Sequence, residues 1–172
     1  MLETSLKIKL FGDPVLRRKA KPVLKVNAEH RDILNLMAKS MYEDSGIGLA
    51  APQVGVSAQL IVVDIGDGLH KLVNPRIIKR QGKQVMQEGC LSVPGVCIKV
   101  KRAKNIWVEA LNEFSQPIKI TAKDLFACVL QHEIDHLKGK MIIDYASFLE
   151  KLRIKKRLAK LKEKAKTCKL QL

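Results

Sequence analysis

At 172 residues, with 47% hydrophobic and 28% charged residues, the chain has the length of one domain and enough apolar content for one packed core, which argues against two enzymes in tandem and against a membrane-embedded protein. Its 32 basic and 17 acidic residues leave a net charge of +15, and nine of those charges lie between residues 151 and 169, where ten cations accompany one acid, Glu163. A basic end of this kind invites an anionic partner without saying which one.

The opening residues, MLETSLKIKLFGDP, lack the basic and apolar regions of a secretory signal, and no later stretch is apolar for long enough to span a bilayer, so the expected location is cytoplasmic, with no membrane contact. Residues 11 to 25, punctuated by Gly12, Asp13, Pro14 and Pro22, read as an irregular wrap around the domain. From about Ala28 to Glu43 the apolar positions Ile33, Leu34, Met37 and Met41 recur at helical spacing and predict the first helix. A small-residue loop, Gly46 to Gly55, leads into Leu60-Ile61-Val62-Val63, an apolar run that reads as a buried strand. Further short strands are expected at Leu72-Val73, at Ile77-Ile78, along Val96, Ile98 and Val100, along Ile106, Val108 and Ala110, and at Ile118 and Ile120. A second helix is expected to begin near Thr121, where Thr-Ala-Lys-Asp resembles a capping box, and to stop at Gly139. Strands followed by helices, without a βαβ rhythm, predict an α+β fold: mixed or antiparallel short-stranded sheets around this central helix, with a further helix at the C-terminal end. No internal repeat is visible.

The second helix carries His132-Glu133-Ile134-Asp135-His136. At about 3.6 residues per turn, residues four apart stand one above the other, so both imidazoles can approach one ion. Glu133 is rotated off that line and can sit beside a metal-bound water without being a ligand. Leu125, Cys128 and Val129 share the histidines' face, so the rings are expected to point inward. The bland alternative is a pair of buried histidines with ordinary hydrogen bonds. A catalytic ion of this type needs a third protein ligand and an open position. Among the four cysteines, Cys90 in Glu88-Gly89-Cys90-Leu91-Ser92 is the favourite, because Gly89 lets backbone come close. Cys128 suits a small core residue, Cys97 interrupts a strand-like alternation, and Cys168 lies in the basic tail. Their scatter, without a Cys-x-x-Cys pair, favours reduced thiols over a disulfide framework. The glycine segment could be a phosphate cradle or a tight turn, but it lacks a Gly-Lys-Ser/Thr ending, so no nucleotide cofactor is expected.

Three segments, Gly46-Ile47-Gly48-Leu49-Ala50-Ala51-Pro52-Gln53, Glu88-Gly89-Cys90-Leu91-Ser92 and Gln131-His132-Glu133-Ile134-Asp135-His136, resemble the three signature motifs of peptide deformylases in order and spacing, as does Gly12-Asp13-Pro14-Val15-Leu16-Arg17 near the start. The resemblance implies that Cys90, His132 and His136 bind one divalent metal ion, iron(II) in the cell, with zinc, nickel or cobalt able to replace it in purified protein. It implies Glu133 as general base and acid, and Gln53 (side-chain amide) and Leu91 (backbone N–H) as donors to the oxygen of a tetrahedral intermediate. The implied reaction is hydrolysis of the formyl group from the N-terminal formylmethionine of nascent peptides, releasing formate. Ile47 and Gly48 are then expected at the entrance and Leu125, Cys128 and Val129 along the methionine pocket, with core packing as the alternative for the last three. Many relatives carry arginine seven residues after the ligand cysteine; Cys97 stands there in this chain, which affects contacts beyond the formylmethionine.

The domain plan expected is a catalytic unit over 1–148 and a basic helical tail over 149–172. From about Ser147 to Lys166, Ile154, Leu158, Leu161 and Ala165 form a narrow apolar stripe among lysines and arginines, suited to resting on the domain while offering charge to ribosomal RNA; a solvated tail or an anionic membrane surface are the alternatives. Other functional readings are an endopeptidase, weakened because no histidine follows His136, a thiol nucleophile at Cys90, which leaves His136 and Glu133 idle, and an inactive ribosome-binding protein, opposed by the presence of Glu133 and Gln53.

Overall fold

The computed structural model describes residues 6–167. Helix α1, Ala28–Glu43, opens with a reciprocal cap: the Asn27 side chain accepts from the His30 N–H at 3.0 Å, and the His30 ring accepts from the Asn27 N–H at 3.3 Å. Its buried residues Leu34, Met37 and Met41 face the sheet. The segment read as a loop between Gly46 and Gly55 contains a short strand β1, Gly48–Ala50, and a 3-10 turn, Ala51–Val54. Strand β2, Leu60–Val63, is buried throughout because both of its faces are covered: Leu60 and Val62 pack toward α1, whereas Ile61 and Val63 join the cluster beneath the second helix. A continuous apolar run is what such a strand requires.

Strand β3, His70–Gln81, is one long strand where two short ones were expected, with register shifts between Val73 and Arg76 and between Ile77 and Lys79. Strands β4, Gln84–Glu88, and β5, Ile98–Arg102, form a separate antiparallel pair; β4 gave no sequence signal, and Val96 lies ahead of β5 rather than in it. Strands β6, Asn105–Leu111, and β7, Pro117–Lys123, complete a five-stranded antiparallel sheet in the order β1-β2-β3-β6-β7. The fold is α+β with antiparallel sheets.

Helix α2, Asp124–Leu137, starts three residues later than Thr-Ala-Lys-Asp suggested. Thr121, Ala122 and Lys123 remain in β7, laddered to Trp107, Ile106 and Asn105 of β6, and Ala122 is buried there. Ladder bonds and burial outweigh a local cap. The helix does stop before Gly139, which has φ +72° and lies so close to the Arg17 carbonyl that a Cβ would meet its oxygen at 2.5 Å. Helix α3, Phe148–Thr167, follows. Its predicted stripe is seated on the domain: Leu161 and Ala165 are buried, and Leu161, with Ile154 and Leu158 beside it, packs into a third apolar cluster with Leu16, Val93, Val96 and Ile142. Cys168 lies outside the described residues. No described helix is long and apolar enough to cross a membrane.

Candidate metal centre

Helix α2 lies across the sheet, packed on β1, β2, β6 and β7, so its histidines are turned away from bulk water. Three ligand atoms converge there: the Cys90 sulfur lies 3.3 Å from His136 Nε2, the two Nε2 atoms are 3.2 Å apart, and all three fall within 4.8 Å of one another. Both histidines are buried and Cys90 is half-buried. A cysteine sulfur and two imidazole nitrogens, edge to edge beside a cavity, fit the three-ligand open set of a catalytic metal site.

The remaining edge of His132 is occupied. Its Nδ1 lies 2.9 Å from Glu88 Oε2; a carboxylate only accepts, so Nδ1 carries the hydrogen and Nε2 presents its lone pair. Glu88 is itself gripped by Arg102, Nε to Oε1 at 2.7 Å and Nη2 to Oε2 at 2.8 Å, and Arg102 Nη1 continues to Asp135 Oδ2, which also accepts from the Tyr145 hydroxyl at 2.7 Å. Burial alone would raise the Glu88 carboxyl, but hydrogen bonds from Arg102 and His132 hold it at about 2. Burial drives His136 well below the ordinary imidazole range, with the charge of His132 next, which keeps it in the neutral form that binds metals. On His132 burial opposes a positive charge, yet Cys90 and Glu88 outweigh it. Neighbours that favour a proton there favour a divalent cation equally.

Glu133 stands beside this set. Its carboxylate packs against β1, so close to Gly48 that a Cβ at that position would collide with Oε1 and would lie 2.8 Å from Val129 Cγ1. Its Oε2 is buried with no hydrogen-bond partner among the described residues, and burial pushes the carboxyl up to about 7 against the pull of His132 and Arg102. A carboxyl poised near neutrality and aimed into a cavity is suited to moving a proton in either direction.

The cavity, about 430 Å³, is lined by Ile47, Gly48, Gln53, Leu91, Leu125, Cys128, Val129, His132 and Glu133, so the residues expected around the substrate are brought together. Cys128 is buried, donates its S–H to Glu88 Oε1 at 3.1 Å, and has its thiol pushed up to about 12 by burial and then by Glu88, which leaves it a neutral wall and not a competing ligand. Cys97 is exposed. The 1%-exposed Gln53 has its amide oriented by the Ala50 N–H, which donates to Oε1 at 2.8 Å; its Nε2 faces Ser92 Oγ at 3.3 Å and Cys90 Sγ at 3.6 Å.

Sequence reasoning missed Met86 and Gln87 of β4, which line the cavity, and the Glu88–Arg102–Asp135 chain behind His132. One signal was present. Arg102 continues the inward phase of Ile98 and Val100 in β5, and a cation at a core-facing position demands a buried partner.

Residues 5–152 match the family model for polypeptide deformylase. The chain is 50% identical to the peptide deformylase of Halothermothrix orenii over 141 residues, 81% of this chain and 92% of that protein. It is 45% identical to peptide deformylase 1 of Shewanella oneidensis over 158 residues, 90% of this chain and 94% of that one. Among solved structures, a peptide deformylase from Legionella pneumophila superimposes with a TM-score of 0.87 at 41% identity, covering 92% of this chain and 96% of that chain. A peptide deformylase from Synechococcus elongatus in complex with actinonin gives 0.86 at 38% identity, over 91% and 90% of the two chains. Set beside a cysteine and two histidines whose ligand atoms converge next to a cavity that Cys90 and His132 line, these likenesses lead to one conclusion: the chain belongs to the polypeptide deformylase family and is a hydrolase of formyl-peptides.

Proposed function

We propose that this chain removes the formyl group from the formylmethionine of nascent peptides with one divalent ion held by Cys90, His132 and His136. The observation that carries the reading is the convergence of those three ligand atoms beside a buried carboxylate oxygen, Glu133 Oε2, that has no hydrogen-bond partner among the described residues. When bound, such an ion supplies polarisation of the formyl carbonyl and lowers the pKa of water toward about 7.

The protein does the rest. Among the described residues β1 is an edge strand, paired only with β2, and Gly46, Ile47 and Gly48 line the cavity, so the backbone of an extended peptide can lie against it. The methionine side chain then lies against Leu125, Cys128 and Val129, where an unbranched thioether suits an apolar wall. As the oxygen of water adds to the formyl carbon, Glu133 takes the water proton; the carbonyl oxygen, gaining charge, is met by the Gln53 amide and the Leu91 N–H. Glu133 returns the proton to the amine nitrogen as the C–N bond breaks, leaving formate and a free N-terminus. Cys97, exposed near Gly89, in place of a cation leaves contacts beyond methionine to be made without that charge.

The metal in the cell is iron(II), replaceable by zinc, nickel or cobalt, since a Cys-His-His set accepts all four. The enzyme works in the cytoplasm, and α3 attaches it to the ribosome, where its substrates emerge. With the stripe seated on the domain, Lys155, Lys156, Lys160 and Lys164 are exposed to phosphates, and Phe148, Leu149 and Leu152, at least half exposed, form an apolar end for protein contact. Formate release from formyl-Met-Ala-Ser by anaerobically purified protein, with metal analysis on the same sample, tests the reaction: release in proportion to bound metal is expected. Metal-independent release, or none from fully loaded protein, overturns it.

A further inference from the structure

We propose that Ser92 is a positioning residue that aims the Gln53 amide at the reacting oxygen; the inference rests on the assignment of Gln53 as an oxyanion donor. The Ala50 N–H on Gln53 Oε1, at 2.8 Å, settles which end of the amide is which, because a backbone N–H needs an acceptor. The NH₂ group therefore faces the turn that follows β4. There Ser92 Oγ lies 3.3 Å from Nε2 and Cys90 Sγ 3.6 Å from it. An amide nitrogen carries two hydrogens in one plane. With one given to Ser92 Oγ, the other is directed at Cys90 Sγ, a residue of the cavity lining, so the amide already faces the place where the reacting oxygen gains charge.

Ser92 itself is 0% exposed and does not line the cavity, so it reaches the substrate only through Gln53. It is also a fixed post. Its carbonyl accepts from the Phe11 N–H at 2.8 Å, and the turn is closed by the Val93 N–H on the Cys90 carbonyl at 2.9 Å. Cys90, Leu91 and Ser92 thus place a metal ligand, one oxyanion donor and the support of the other on three consecutive residues. Without the hydroxyl, the last torsion of Gln53 is held by the Ala50 N–H alone and rocks within the broad well of an sp³–sp² bond, and a donor that must reorient as charge develops loses the advantage of being preset.

The test is a double-mutant cycle at matched metal content: wild type, Ser92→Ala, Gln53→Ala and the double variant, assayed on formyl-Met-Ala-Ser. Gln53→Ala is expected to lower kcat about 10²-fold. Ser92→Ala is expected to lower kcat about five- to tenfold with KM within about twofold, and the double variant to be no slower than Gln53→Ala alone. In zinc-loaded protein labelled with ¹⁵N-glutamine, Ser92→Ala should move one of the two Gln53 side-chain amide protons and leave the other glutamines in place. Full turnover in Ser92→Ala, or losses that multiply in the double variant, overturn the inference and leave the Gln53 role intact. An unaffected Gln53→Ala removes the oxyanion assignment itself.

Discussion

Helices α2 and α3 are both amphipathic, and they spend that property in opposite ways. Of the 14 residues of α2, ten are buried, among them Gln131, His132, Glu133 and His136, so these four polar side chains are cut off from bulk water. Of the 20 residues of α3, two are buried, and its cations face water. Enclosure makes each polar group of α2 expensive to disturb, because a buried charge that loses its partner costs far more than an exposed one. A helix that is mostly solvated can instead change its charge freely and use it on a partner.

The sharpest way to test the contrast is inside α2. Glu133→Ala is expected to keep the metal, since Cys90, His132 and His136 survive, while turnover falls by at least about 10²-fold; metal content and rate measured on one preparation check this, and retention of a tenth of the wild-type rate would break the assigned role. Cys90→Ser is expected to lose or weaken the metal, whereas Cys128→Ser, altering a neutral thiol of the cavity wall, is expected to keep it. Full metal occupancy in Cys90→Ser would send the search for the third ligand elsewhere.

Next in size are changes to the supports of α2. Arg102→Met leaves Glu88 buried without its cation, so a loss of about 3–5 kcal/mol in stability should accompany a 10- to 100-fold weaker hold on metal, of the order seen when the second partner of a ligating histidine is removed. Denaturant melts and chelator competition read the two separately. Unchanged chelator resistance would show that the Glu88–Arg102 pair supports the fold and not the ligand. Gly48→Ala should slow turnover by about 10²-fold, of the order expected when a catalytic group is displaced by about an ångström, because the new methyl displaces the Glu133 carboxylate. A normal rate would mean that β1 can shift away from α2.

The smallest effects on the isolated enzyme belong to α3. Leu161→Ala should cost about 2–3 kcal/mol, the low end for a buried leucine, by opening the contact with Val93 and Val96. Replacing Lys155, Lys156 and Lys160 by glutamate should leave hydrolysis of short formyl-peptides within about twofold, yet lower cosedimentation with ribosomes and flatten its salt dependence. Equal binding by wild type and the triple variant would sink the docking role and leave α3 as a solvated strut.

Local pattern was enough wherever one element's own spacing sets the outcome. His132 and His136 share a face of α2 whatever surrounds them, because four residues make about one turn, and the spacing of Leu34, Met37 and Met41 marked α1 for the same reason. The family resemblance added roles for Cys90, Gln53 and Leu91, which the chain brings to one cavity from two separate segments. Tertiary structure decided what no single element contains. Whether Thr121 caps a helix or extends a strand depended on β6 offering Trp107 as a ladder partner. Arg102 and Glu88 meet behind His132 only because the pairing of β4 with β5 brings both side chains to the Nδ1 edge of that ring. The apolar stripe of α3 became a seated face because Leu16, Val93, Val96 and Ile142, from three other parts of the chain, leave an apolar surface that must be covered.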